Sequence, residues 1–147
     1  MAADLVIANF LRVAKEDLDG AKLLARTKNR NAVYLCGQAA EKVLRAVLTS
    51  ESKHGGITHR LNEMVDLVPD ENPLKPALRG IEELSAYATA YRYPTPAGRI
   101  PEAPTDEELS MFFAKVEAAL DLAVSKFGVD LDTVGQPARR PGPIRQL

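Results

Sequence analysis

The chain has 147 residues, of which 46% are apolar and 27% charged, enough to fill one core and keep one surface wet but not two. Nineteen Lys and Arg stand against twenty Asp and Glu, a formal charge of -1, so the basic excess of a dedicated nucleic-acid binder is missing and only a local basic patch remains open. No run approaches about 18 consecutive apolar residues, which excludes a membrane span. Asp4 followed by Arg12 and Lys15 is not the order of a signal peptide. Cys36 stands alone, so an internal disulfide and a cysteine-based metal cluster are excluded. The location these features suggest is cytoplasmic.

Residues 4–26 read as a first helix, because Ile7, Phe10, Leu11, Ala14, Leu18, Ala21 and Leu24 recur at steps of three and four without an intervening Pro. Thr27 to Asn31 is a polar connection. A second helix follows from about Asn31 to Ser50, apolar over a wider arc through Val33, Cys36, Ala39, Ala40, Val43, Leu44, Val47 and Leu48. An apolar surface that wide belongs at the centre of a bundle. Gly55-Gly56 interrupts the pattern, and Thr58 is placed to cap a short helix through Val68. Pro69 to Pro73 ends it. Leu74 to about Tyr91 reads as a further long helix carrying Leu78, Ile81, Leu84 and Ala88.

Pro94, Pro96, Pro101 and Pro104 then forbid regular structure. Thr105 and Glu108 form a capping-box pair at the start of a last helix, which carries Leu109, Phe112, Phe113, Val116, Leu120, Val124 and Phe127 and stops at Gly128. Nothing alternates with period two. The expected fold is therefore all-α, an antiparallel up-and-down four-helix bundle with one extra short helix, five helices in total, over residues 4–127. Residues 128–147 are Pro-rich and basic, with Arg139, Arg140 and Arg145, and their composition reads as a flexible tail that either the bundle itself or a neighbouring subunit would have to hold.

Two groups of residues could carry chemistry. Gln38, Lys42 and Arg45 lie at i, i+4 and i+7 on one face of the most apolar helix, with Glu41 one step around. One reading is a rim stripe whose long stems lead the charges to water. The other is a groove for an anionic group such as a phosphate, since cations on a buried helix are costly unless something pairs with them. Tyr87, Tyr91, Arg92 and Tyr93 form the second group, just before Pro94. Aromatic faces beside a planar guanidinium can hold a base and its phosphate. Equally, Tyr87 and Tyr91 can be i, i+4 packing partners while Arg92 caps the helix end. His54 and His59 lack any second ligand at metal spacing, and His59 beside Thr58 suits a helix start. No nucleophile elbow or phosphate-cradling glycine loop is present, so no cofactor, metal or catalytic residue is assigned.

Taken in order, the run Ala21-Lys22-Leu23-Leu24, the stretch from Gln38 through Lys42 and Arg45 to Leu48, Thr58-His59-Arg60-Leu61 and Tyr91-Arg92-Tyr93-Pro94 resemble the HEPN domain over roughly residues 4 to 127. The resemblance implies a five-helix up-and-down fold, commonly dimeric, and often encoded beside a minimal nucleotidyltransferase in toxin–antitoxin or defence pairs. It also implies metal-independent RNA cleavage in many members, through an Arg and a His separated by four to six residues. This chain departs from that signature. The positions five to seven after Arg92 are Ala97, Gly98 and Arg99; those five to seven before His54 are Val47, Leu48 and Thr49, and before His59 they are Ser52, Lys53 and His54. The expectation is accordingly a homodimeric module without catalysis that binds a nucleotide-like ligand or RNA, or a nucleotidyltransferase partner. The alternatives are a ribonuclease in which Arg92 stabilises the phosphate and His59 acts as base, and a purely structural dimerisation bundle. Dimerisation is expected because the second helix carries more apolar arc than one small core hides.

Overall fold

A computed structural model describes residues 2–54, 56, 60–87 and 90–140. The expected all-α bundle is what forms, and no strand occurs among the described residues. Helix α1 spans Ala2–Arg26, α2 Asn31–Ser50, α3 Leu61–Asp66, α4 Lys75–Arg79 and α5 Asp106–Phe127; two 3-10 segments, η1 (Glu82–Tyr87) and η2 (Ala90–Arg92), follow α4. Helices α1 and α2 form an antiparallel hairpin, since Gly20 faces Leu35 while Asp17 meets Lys42. Helix α5 also runs antiparallel to α1, because Lys22 pairs with Glu117 and Lys28 with Asp106.

The wide apolar arc of α2 places it at the centre. Ala32, Val33, Cys36, Ala39, Ala40, Val43, Leu44, Ala46, Val47 and Leu48 are all essentially inaccessible within the single chain. The argument for a dimer drawn from that arc therefore does not hold, because α1, α5 and the α3–η1 region cover it completely. Exposed apolar side chains sit elsewhere, among them Leu5, Val6, Val13 and Leu23 on α1, Met111 and Leu122 on α5, and Ile100 and Val134 outside the helices. Full burial of Val33, Val43, Leu44, Val47 and Leu48 is worth about 1.5–3 kcal/mol each, and the alanines between them let the neighbouring helices approach closely.

The capping box at the start of α5 is present: the Glu108 amide donates to Thr105 Oγ1 at 3.1 Å, and the Thr105 amide donates to Glu108 Oε1 at 3.2 Å. At the other end Gly128 adopts φ 57°, ψ 47°, the left-handed stop that its lack of a Cβ permits.

The long helix expected over residues 74–91 is a correction. It is a five-residue α-helix followed by 3-10 turns, in which the Ile81 amide reaches Leu78 O and the Leu84 amide reaches Ile81 O. Leu78, Ile81 and Leu84, all buried, are spaced by three, and half-buried Tyr87 continues the series. In a 3-10 helix that spacing lines side chains along one edge, whereas an α-helix would swing each one 60° away from the core. Three long helices and a segmented fourth side thus make up the bundle. The expected cap at Thr58 lies outside the described residues; among the described residues the α3 amide of Leu61 donates to Ser85 Oγ of η1.

Residues 129–140 do not trail away. Arg12, only 7% exposed on α1, donates to the carbonyl oxygens of Asp130 and Gln136, and Ala138 N donates to Asp4 O at 2.9 Å. Arg140 closes the run with an ion pair to Asp4. The chain's own first helix, not a neighbouring subunit, supplies these anchors.

Candidate functional site

The sequence-derived candidates separate into two places. On α2, Lys42 is ion-paired with Asp17 of α1, and the two side chains are 24% and 17% exposed. Arg45 pairs with buried Glu41 at 3.3 Å and donates to Gly56 O. Both cations thus already have a carboxylate partner, as a half-buried charge requires. Gln38 is half-exposed one turn before Lys42.

The aromatic group assembles elsewhere. The Arg92 guanidinium lies 4.3 Å from the ring centroid of Tyr34 and 5.5 Å from that of Tyr93. Tyr34 stands one turn before Gln38 on the same α2 face, so the shelf carrying Arg92 leads directly to Gln38. Lys42 lies eight residues beyond Tyr34, about 12 Å along the helix axis. Arg92 and Tyr93 are exposed, and Arg92 makes no ion pair or hydrogen bond among the described residues. It is an exposed guanidinium within cation–π distance of two tyrosine rings.

Tyr87 and Tyr91 pack edge-to-face, centroids 5.0 Å apart, and Tyr87 also meets Phe112 at 6.0 Å. These two tyrosines are wall, as the packing reading of the pair anticipates, although 3-10 turns rather than an α-helix carry them. Burial pushes the Tyr87 phenol above its ordinary value, with Glu108 adding to the rise. Burial raises Tyr91 in the same way, while the charge of Arg30 opposes it. Tyr91 is 5% exposed and its hydroxyl has no hydrogen-bond partner among the described residues, an arrangement costing about 1–3 kcal/mol.

Arg30 is the residue that periodicity did not single out. It stacks 4.5 Å over Tyr91 and donates through Nη2 to the carbonyl oxygens of Tyr91 at 3.2 Å and Pro101 at 2.8 Å. It thereby fixes both ends of the proline loop to the start of α2. In the sequence it lies in an Asn- and Lys-rich connection with nothing to distinguish it, and its partners are loop carbonyls that no side-chain pattern marks. Beside it opens a cleft of about 390 Å³ bounded by the α1–α2 connection, Tyr91, Pro104 and Leu109.

His54 sits exposed at a shallow hollow with Phe10 and Arg45, and His59 lies outside the described residues. Among the described residues no three His, Cys, Asp or Glu side chains converge as a metal would need. No helix among them is long and apolar enough to cross a membrane.

No curated protein and no solved structure matches the chain. A family model does: that of the HEPN domain covers residues 7–127, spanning α1 through α5 and both groups of candidate residues. The chain belongs to the HEPN domain family.

Proposed function

We propose that this HEPN module binds a nucleotide-like anionic ligand on the exposed shelf formed by Tyr34, Arg92 and Tyr93, with Gln38 at its edge, and does so without catalysis of its own. The observation that carries this reading is the state of Arg92. Lys42 and Arg45 are neutralised by Asp17 and Glu41, whereas Arg92 is exposed, laid over Tyr34 and without a carboxylate partner among the described residues. A planar guanidinium offers phosphate a bidentate fork, and the exposed Tyr93 ring offers a base a stacking face. Tyr87 and Tyr91, packed edge-to-face, lie on the chain segment that leads into Arg92 and Tyr93. The absent Arg–His spacing argues for binding over cleavage, because RNA hydrolysis without a metal needs a group that titrates near neutrality. The module acts in this reading as a homodimer, alongside a nucleotidyltransferase of the toxin–antitoxin or defence type.

Calorimetry with ATP, GTP and a short RNA tests it. Saturable heat with wild type and its loss in Arg92→Ala supports the shelf; flat traces with all three leave only the protein-partner reading. Light scattering reports the dimer, and a mass of one chain at working concentration removes it. Incubation with labelled RNA addresses the ribonuclease alternative: cleavage by wild type that fails in His59→Ala would replace the present reading.

A further inference from the structure

We infer that the cleft between the C-terminal end of α1 and the N-terminal end of α5 is a second binding site, suited to a small monophosphate ester with a ring-sized apolar body. The cleft has two adjoining lobes that share Ala25, Lys28, Asp106 and Leu109. The larger, about 390 Å³, has apolar walls from Val33, Tyr91, Pro104 and Leu109. The smaller, about 220 Å³, carries Lys22 and Arg26. A body of one ring is readily housed in the first lobe while a charged group sits at the boundary with the second.

The charges at that boundary are set for exchange. Lys28 pairs with Asp106 at 2.5 Å, yet the two side chains are 74% and 75% exposed, so water competes for both and the pair contributes little. A phosphate entering between the lobes can take the place of the Asp106 carboxylate on Lys28 at small cost. Arg30 commits only Nη2 to its two loop carbonyls, which leaves the rest of its donor fork without a partner among the described residues. Arg26 likewise has no ion-pair partner among them. Lys22 is held by Glu117 and tightens the far wall. With Lys28 at the boundary, Arg30 in the larger lobe, Arg26 in the smaller, and apolar surface behind them, the cleft suits an amphipathic anion that displaces the Asp106 carboxylate from Lys28. The site is distinct from the Tyr34–Arg92 shelf, and it does not depend on that proposal.

Phenyl phosphate is the probe, with phenol and inorganic phosphate as its separated halves, followed by amide shifts in a ¹⁵N-labelled full chain. The expected result is saturable movement of amides in residues 25–33 and 103–109 with phenyl phosphate, and markedly weaker movement with either half. Lys28→Asn removes a cation where the backbone is already left-handed (φ 57°), a conformation Asn accepts, so its fold is retained. It should weaken binding roughly three- to tenfold, the range of one charge-assisted contact at a partly wet site. Ala103→Phe, on an exposed loop position lining the larger lobe, should abolish binding while leaving the thermal midpoint near wild type. Absence of saturation, equal response to phenol or to phosphate alone, unchanged affinity in both variants, or shifts confined to residues 34 and 91–93 would each overturn the inference. The last of these outcomes would still support the shelf, so the two proposals fail separately.

Discussion

The guanidinium of Arg12 donates to the carbonyl oxygen of Asp130 through both Nε, at 3.3 Å, and Nη2, at 2.8 Å, across 118 residues of sequence. Nη2 also reaches Gln136 O at 2.8 Å, and Nη1 reaches Asn9 Oδ1 at 2.9 Å. One buried cation on α1 therefore gathers the strap of residues 129–140 against the bundle. Hydrogen bonds to a charged donor are worth about 1.5–3 kcal/mol, and removing the donor leaves two carbonyls seeking water. Arg12→Met, which keeps the stem, should destabilise the protein by about 2–4 kcal/mol on that basis. Amide exchange in residues 129–140 should speed up well beyond that of α2, and if α2 and the strap lose protection equally the strap is not a separate unit.

Gly128 joins the bundle to that strap. A Cβ at this position would lie 2.7 Å from Arg139 O, and the backbone there is left-handed. Arg139 N donates to Phe127 O at 2.7 Å and to Gly128 O at 3.3 Å, so the strap is pressed directly against the helix stop. Gly128→Ala pays about 1–2 kcal/mol for the conformation alone and must also displace the strap. A drop in urea midpoint larger than that conformational cost, accompanied by protease cleavage after Phe127 or within residues 129–140, is the expected result.

The ends of α5 were legible because their signals are local. Thr105 with Glu108 and Gly128 each act within a few residues of themselves, and both caps formed. The wide arc of α2 likewise pointed to a central helix. The break after α4 was written in the step-of-three series Leu78, Ile81, Leu84 and Tyr87, but steps of three also occur in α-helices, and only contact with α2 and α3 decides between them. Arg12 and Arg30 were unreadable for a different reason. Each binds main-chain carbonyls far away in sequence, and carbonyls carry no residue identity. The pairing of Lys42 with Asp17 joins two recognisable side chains, but it follows from how α1 packs on α2, which periodicity within either helix does not give.

That ion pair separates structural from ligand-binding cations. Because Lys42 and Asp17 are both largely shielded, Asp17→Asn leaves a poorly solvated ammonium and Lys42→Met a poorly solvated carboxylate. A double-mutant cycle should give a coupling of about 1 kcal/mol, above the usual value for a fully exposed pair. Nucleotide affinity by calorimetry should be unchanged in Lys42→Met and lost in Arg92→Ala. Equal losses in the two would return Lys42 to the ligand site.

Cys36 is buried on α2, and burial pushes its thiol up to about 12 against the smaller, opposing effect of Lys22. In the unfolded chain a thiol loses its proton near about 8.5. Below that value both states hold the proton and the stability is fully present. Between there and about 12 the unfolded chain binds fewer protons than the folded one, so stability falls as pH rises, by at most about 1.4 kcal/mol per unit. The native protein should resist alkylation at pH 8 and react on unfolding in urea. The pH-dependent part of the loss between pH 8.5 and 10.5 should shrink in Cys36→Ala, whatever that variant's constant cavity penalty; an identical pH profile would show that the thiol does not contribute.

Ser85 offers a last test, of the segment that departed from a regular helix. Its Oγ accepts from the amide of Leu61, the first residue of α3, so η1 supplies a capping oxygen from a distance, while Arg60 makes no side-chain cap bond there. Loss of a capping oxygen costs about 0.5–2 kcal/mol. Ser85→Ala should fall in that range, and Ser85→Thr, which keeps the oxygen, should cost less. The loss should be local: faster exchange at Leu61 to Met64 and in η1, with the α1–α2 hairpin unchanged. Should exchange at Leu61 stay at the wild-type rate in Ser85→Ala, the Ser85 oxygen does not hold the start of α3, and the packing of Leu61, Met64 and Val65 carries it without that cap.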